Sequence, residues 1–228
     1  MLLAPAAKDP SVFSYRALRR AVGVVAIALP IAVALPIWLL KDHTLEPSIS
    51  CYYNTGTRSV LVGSLCAVGM FMLCCRGYDI YDEIAGIFSA ICAIGVAFFP
   101  TDPAPCNASS TIRVGNIHWT FALLLFLTLA LFCFFLFTMS AQDHTITSKK
   151  LQRNLVYRIC GAAILVSMLA IAILSRRGDT YLISGLGSEF LLETISLWAF
   201  GFAWLVKGET ILKDEAPAPH AATGSGIG

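Results

Sequence analysis

Six runs of about twenty mostly apolar residues divide this chain, at 21–40, 59–75, 84–100, 117–138, 158–175 and 187–206. As a helix, each is long enough to cross a hydrocarbon layer of about 30 Å at about 1.5 Å per residue. Inside such a layer the backbone must satisfy its own N–H and C=O groups, which leaves the α-helix as the solution for runs of this length. Composition agrees: of 228 residues, 57% are hydrophobic and 13% charged, too apolar for a soluble domain. The connections are short and hold no separate soluble unit. The expected fold class is all-α, a polytopic integral membrane bundle of six transmembrane helices at 21–206. Residues 1–20 would be a cytoplasmic N-terminal segment and 207–228 a cytoplasmic tail.

The ends of the chain follow from the same logic. The tail DEAPAPHAATGSGIG has no apolar stripe to bury and reads as disordered. Near the start, SVFSYRALRR could lie along the headgroups as a short amphipathic piece. Arg16, Arg19 and Arg20 precede the first run, and Ala32-Val33-Ala34 resembles a signal-peptidase site. The run exceeds a usual signal core, so it is expected to remain as the first helix. Pro30 and Pro36 within it each free a backbone carbonyl that a neighbouring helix or water must satisfy.

Lysine and arginine in the short loops set the orientation. With the N-terminus inside, Lys8, Arg16, Arg19, Arg20, Arg76, Lys149, Lys150, Arg153, Arg158, Lys207 and Lys213 face the cytoplasm. Lys41, Arg58, Arg113, Arg176 and Arg177 face the other side. The excess predicts both termini inside, in what is expected to be a bacterial inner (plasma) membrane. A net charge of +2 gives no reason to expect a nucleic-acid partner.

Of the eight cysteines, Cys66, Cys74, Cys75, Cys92, Cys133 and Cys160 fall in or at the ends of apolar runs, where they act as small hydrophobes. Cys51 and Cys106 sit in loops on the predicted outer side, an oxidising compartment in bacteria. A disulfide between them is expected. Metal binding is the competing reading, without a CxxC or histidine spacing to support it. No cofactor is expected. Asn107-Ala108-Ser109 spells a glycosylation sequon of the kind that short sequences often contain by chance.

Ionisable groups inside membrane segments are costly and therefore functional candidates. Glu193 and Glu189 share one face of the last helix at i, i+4 spacing near its outer end. The predicted topology gathers Tyr52, Tyr53, Arg58, Asp102, His118, Glu189 and Glu193 in the outer-leaflet zone. In one reading these form a structural cluster in which Arg58 or His118 neutralises Glu193. In another they line a headgroup-sized pocket open to lipid. In a third, Glu193 and His118 work as an acid–base pair on a lipid headgroup, although the sequence displays no nucleophile motif beside them. On the inner side, RGYDIYDE brings Asp79, Asp82 and Glu83, and SKKLQRNLVYR brings Lys149, Lys150, Arg153 and Arg158. These are expected as complementary loops or solvated faces, the basic one touching anionic lipid. Lys207 ends the last helix, too far from mid-membrane for a retinal linkage. Small residues recur at Gly63, Ser64, Ala67, Gly69, Ala85, Gly86, Ser89, Ala90, Gly161, Ala162 and Ala163, which favours close helix packing.

Taken together, SISCYYNTGTRSVLVGSL, RGYDIYDEIAG, FFPT, IHWTFA, RNLVYRICG and LETISLWAFGFAWLVKGE resemble a group of bacterial six-helix membrane proteins without an established activity. The group's pattern carries an acidic residue and an aromatic where this chain has Ser59 and Leu61. The chain is also distantly similar to the Frag/DRAM/Sfk type of six-helix proteins, which implies a role in lipid remodelling or membrane organisation. The favoured expectation is lipid binding or membrane organisation without catalysis, membrane lipids being the partner. The alternatives are a lipid-headgroup hydrolase or transferase using Glu193 and His118, and a structural subunit bound to another membrane protein or to a second copy.

Overall fold

The first apolar run extends well beyond its expected start. The computed structural model describes residues 10–40, 44–74, 80–101, 112–139, 148–177, 181–183 and 186–208. In it, helix α1 runs unbroken from Pro10 to Leu40, with a proline in its first turn, where the missing N–H costs nothing. The SVFSYRALRR stretch is therefore the first part of α1. Helices α2 (Arg58–Cys74), α3 (Ile80–Phe98) and α4 (Ile112–Leu131) follow, and α4 continues into a π-turn at Phe132–Leu136. Helix α5 (Ser148–Arg177) takes in the basic stretch expected as a loop: SKKLQRNLVYR forms its first turns. A short antiparallel pair, β1 (Tyr181–Ile183) with β2 (Leu186–Gly187), leads into α6 (Ser188–Lys207). Asp79, Asp102, Cys106, Asn107, residues 1–9 and the tail 209–228 lie outside the described residues.

The bundle is a helical membrane protein. Tyr15–Leu40, Ile80–Phe98, Gly115–Leu136, Ser148–Arg176 and Ser188–Lys207 are long and apolar enough to cross a membrane. Helix α2, at 17 residues, is apolar but shorter. Each helix packs on its predecessor and successor, and α6 returns to pack on α1, so the described helices close into a ring. Many large apolar side chains, Leu39, Ile84, Ile91, Leu155, Val166 and Leu169 among them, stay exposed on its outside, as expected of a surface that meets lipid instead of water.

The α1–α6 closure depends on two glycines. A Cβ at Gly23 would lie 2.8 Å from the Gly201 carbonyl, and one at Gly201 would lie 2.8 Å from the Gly23 carbonyl and 2.7 Å from Ile27 Cγ1. Only hydrogen at both positions lets the backbones approach this closely. The two prolines of α1 are served along the same neighbourhood. A proline ring wedges the preceding turn open, exposing carbonyls that ordinarily bond within the helix. Three residues before Pro30, the Ile27 carbonyl accepts Trp198 Nε1–H at 3.0 Å. Three residues before Pro36, the Val33 carbonyl accepts the Thr57 hydroxyl at 3.1 Å.

At the end of the ring that holds the start of α1 and the end of α6, aromatic rings fill the space. Phe137 meets Trp204 edge-on at 5.3 Å and Tyr157 at 5.4 Å, with Phe132 and Phe200 also against Trp204. The π-turn makes this possible: its extra residue per turn, closed by Phe137 N–H to Phe132 O at 2.9 Å, rotates both phenylalanines toward α6. Lys207 donates to the Phe137 carbonyl at 3.1 Å and Arg20 to the Gly208 carbonyl at 3.2 Å. Arg19, Asp82, Lys150 and Arg153 lie within electrostatic range of Lys207, so charges of α1, α3 and α5 converge on the end of α6.

The glycine seam gives a direct test. Gly201→Val should force α1 and α6 apart and destabilise the bundle by about 1–3 kcal/mol, read as a lowered thermal midpoint in detergent. Gly63→Ala, where nothing lies within 4 Å of the new methyl, should leave the midpoint unchanged or raised.

Candidate functional site

The segment PSISCYYNTGTR, between α1 and α2, folds as a plug at the opposite end of the ring. It carries too many polar groups to pack on lipid and too few residues to leave the bundle. Its core is a 3-10 helix, Ser50–Asn54, in which Tyr52 is fully buried and Cys51 and Tyr53 are nearly so. A helix start leaves backbone N–H groups without internal partners, and buried ones must find acceptors. Here Ile49 N–H donates to Glu193 Oε2 at 2.6 Å, and the Ser50 amide also lies in hydrogen-bonding reach of that carboxyl. Cys51 N–H donates to the Ser48 hydroxyl at 3.2 Å. A carboxyl group from α6 thus caps a helix elsewhere in the chain, where the positive end of the peptide dipoles favours it.

The docking is reciprocal. Phe190 N–H, in the first turn of α6, donates to the Pro47 carbonyl at 2.9 Å, and Tyr52 packs on Phe190 with ring centroids 6.0 Å apart. Gly187 is required just before α6, because a Cβ there would overlap the Pro47 backbone. Further bonds tie the plug around the ring: the Thr57 hydroxyl to α1, as above, and the Thr101 hydroxyl to the Ser50 carbonyl at 3.3 Å. Thr55 closes the far end of the 3-10 helix, its hydroxyl donating to the Tyr52 carbonyl at 2.8 Å. Burial raises the Tyr52 phenol above its ordinary range; the Glu46 N–H bonded to it works the other way and the Glu46 charge adds to the rise, so the ring stays neutral at physiological pH.

His118 reaches the plug from α4. Its Nδ1 lies 2.7 Å from the Phe99 carbonyl and its Nε2 3.0 Å from Ser50 Oγ. A carbonyl can only accept, so the proton sits on Nδ1 and Nε2 is left as an acceptor for the Ser50 hydroxyl. His118 is 3% exposed, whereas Ser50 is only half-buried.

The expected cluster is therefore assembled, with different pairings. Glu193 and His118 approach the same residue, Ser50, from two sides and do not bond to each other. Neither Arg58 nor His118 takes Glu193 as a partner among the described residues. Arg58 is exposed, donates to the Tyr53 hydroxyl at 2.5 Å and lies over that ring, its guanidinium carbon 4.1 Å from the centroid. Glu189 accepts the Ser175 hydroxyl at 2.7 Å, tying α6 to α5. Asp102 and Cys106 lie outside the described residues. Cys51 is disulfide-bonded, while Cys66, Cys74, Cys92, Cys133 and Cys160 are free thiols. No group of three potential metal ligands occurs among the described residues. Sequence reasoning missed Ser50 and Ser48, because only the fold reveals which hydroxyl of the segment faces His118.

Glu193→Gln keeps a carbonyl oxygen for the Ile49 amide and should cost under about 1 kcal/mol. Glu193→Ala strands two buried amides at about 1–3 kcal/mol each. Thermal unfolding in detergent should separate the two variants, and trypsin should cleave after Arg58 faster in Glu193→Ala than in the wild type. Compared with known protein families, curated proteins and solved structures, the chain matches none.

Proposed function

We propose that the protein is a six-span membrane protein, α2 being the short sixth span, with both termini cytoplasmic and the plug at the outer leaflet of a bacterial inner membrane. Its function is to bind and organise phospholipid at that leaflet. The single observation that carries the reading is Arg58: an exposed guanidinium held in one geometry by Tyr53, at the edge of a helix bundle where lipid phosphates would lie. Pre-organisation lowers the entropy lost when an arginine grips a phosphate, and guanidinium geometry matches two phosphate oxygens. The lysine and arginine distribution supports the orientation.

Cys51 is taken to pair with Cys106. Among the described residues the other five cysteines are free, and Cys106 is the cysteine that the sequence places in a loop on the same predicted side as Cys51. Glu193, bonded to the plug backbone, serves here as an anchor and not as a proton donor.

Titration of phosphatidylglycerol into the detergent-purified protein, followed by native mass spectrometry, tests the binding. Arg58→Gln should lower occupancy about tenfold, the loss expected for a charge-assisted hydrogen bond. Unchanged occupancy in a folded variant removes this reading. A stoichiometric protein partner in place of lipid favours the structural-subunit alternative.

A further inference from the structure

We propose that Ser50 is a nucleophile and His118 its general base, acting on the carboxylic ester of a membrane lipid. The observation is the chain Phe99 carbonyl, His118 Nδ1, His118 Nε2, Ser50 Oγ, with separations of 2.7 and 3.0 Å. Three features of an activated serine coincide in it. The base is within hydrogen-bond reach of the nucleophile. A third group, the Phe99 carbonyl, fixes its tautomer and ring orientation so that the nitrogen facing the serine is the basic one. The base is buried behind a half-buried hydroxyl, so a substrate meets the serine first. The Thr101 hydroxyl, donating to the Ser50 carbonyl at 3.3 Å, helps to fix the backbone of the serine.

Position selects the bond. The plug is sunk below the ends of two helices: Thr57 bonds α1 at Val33, seven residues before its end at Leu40, and His118 lies six residues into α4. At about 1.5 Å per residue this is about 10 Å inside the ends of α1 and α4, while α3 ends and α6 begins beside the plug. A lipid whose phosphate meets Arg58 carries its acyl esters, the junction of headgroup and hydrocarbon, within a few bonds of that phosphate, and so beside the plug that holds Ser50. The inference rests on lipid reaching the plug, as in the reading above, and adds chemistry to it.

Ser50 Oγ attacks the ester carbonyl carbon while its proton passes to His118 Nε2. The tetrahedral adduct collapses, the same proton moves to the departing glycerol oxygen, and acyl-Ser50 and a lysolipid result. Water, giving a proton to His118 Nε2, then attacks the acyl-Ser50 carbonyl. That proton returns to Ser50 Oγ as free fatty acid leaves. No oxidant, reductant or further reactant is needed.

The test treats the full-length protein in detergent with a fluorophosphonate probe, which needs no lipid site, and separately with phosphatidylglycerol carrying a labelled acyl chain. Peptide mass spectrometry should find the phosphonyl adduct on Ser50, absent in Ser50→Ala and at least tenfold slower to form in His118→Gln. Labelled fatty acid should be released by the wild type and not by Ser50→Ala. Ser50→Ala loses one hydrogen bond and serves as the folded control; a thermal melt of His118→Gln guards against misfolding. An unmodified Ser50, or release that persists in Ser50→Ala, overturns the proposal. Because lipid occupancy is read independently by native mass spectrometry, lipid binding without Ser50 labelling would remove the chemistry and leave the binding role standing.

Discussion

The bond from Ile49 N–H to Glu193 Oε2 holds the plug to the ring. A connection between two membrane helices would ordinarily run over the surface, where water satisfies its backbone. This one is drawn into the bundle, and its first amides lose that water. Such burial is tolerable only if acceptors wait inside, and Glu193 supplies them at a depth where a carboxyl group would otherwise be hard to accommodate. Each half of the arrangement requires the other: the carboxyl needs donors, and the buried helix start needs an acceptor. Pro47 returns the favour by accepting from Phe190, so the first turn of α6 and the first turn of the 3-10 helix complete one another.

The ring that receives the plug is closed by close approach and not by bulk. Gly23 and Gly201 let α1 and α6 touch at the backbone, and the carbonyls near Pro30 and Pro36 find donors in Trp198 and Thr57. Thr57 belongs to the plug, so the Val33 carbonyl beside the second proline of α1 gains this donor only when the plug is seated. At the other end, the aromatic cluster around Trp204 and the bond from Lys207 to the Phe137 carbonyl finish the core. The plugged end is polar and hydrogen-bonded, the other end aromatic and flanked by cations.

Much of this was legible in the sequence. Apolar runs of membrane-crossing length located the helices, since length and hydropathy are local properties. Glu193, Glu189, His118 and Arg58 stood out because charge in such runs is costly. The starts of α1 and α5 were placed too late, because a helix that leaves the hydrocarbon keeps its hydrogen bonds while its composition turns polar: RALRR reads as a separate piece along the headgroups and KKLQR as a loop or solvated face, and both belong to the continuous helices. The partners within the site were not legible. That Glu193 meets a backbone amide, that Arg58 lies on Tyr53, and that Ser50 instead of Ser48 faces His118 all depend on the rotation of a five-residue 3-10 helix. The pairing of π-turn and aromatic cluster was equally hidden, for a single inserted residue leaves no compositional mark.

A plug fixed this firmly makes its end of the ring a rigid surface, on which an arginine and a serine hydroxyl have defined positions before any ligand arrives. The lipid binding and the ester chemistry proposed above both need that rigidity, so both proposals depend on the docking of residues 47–57. Hydrogen–deuterium exchange of the wild-type protein in lipid nanodiscs tests it most directly, through the amides of Ile49 and Ser50. If the plug is seated, they exchange as slowly as amides in the interior of α6 and far more slowly than an open loop. Exchange within seconds, at the rate of an unstructured peptide, would contradict the account.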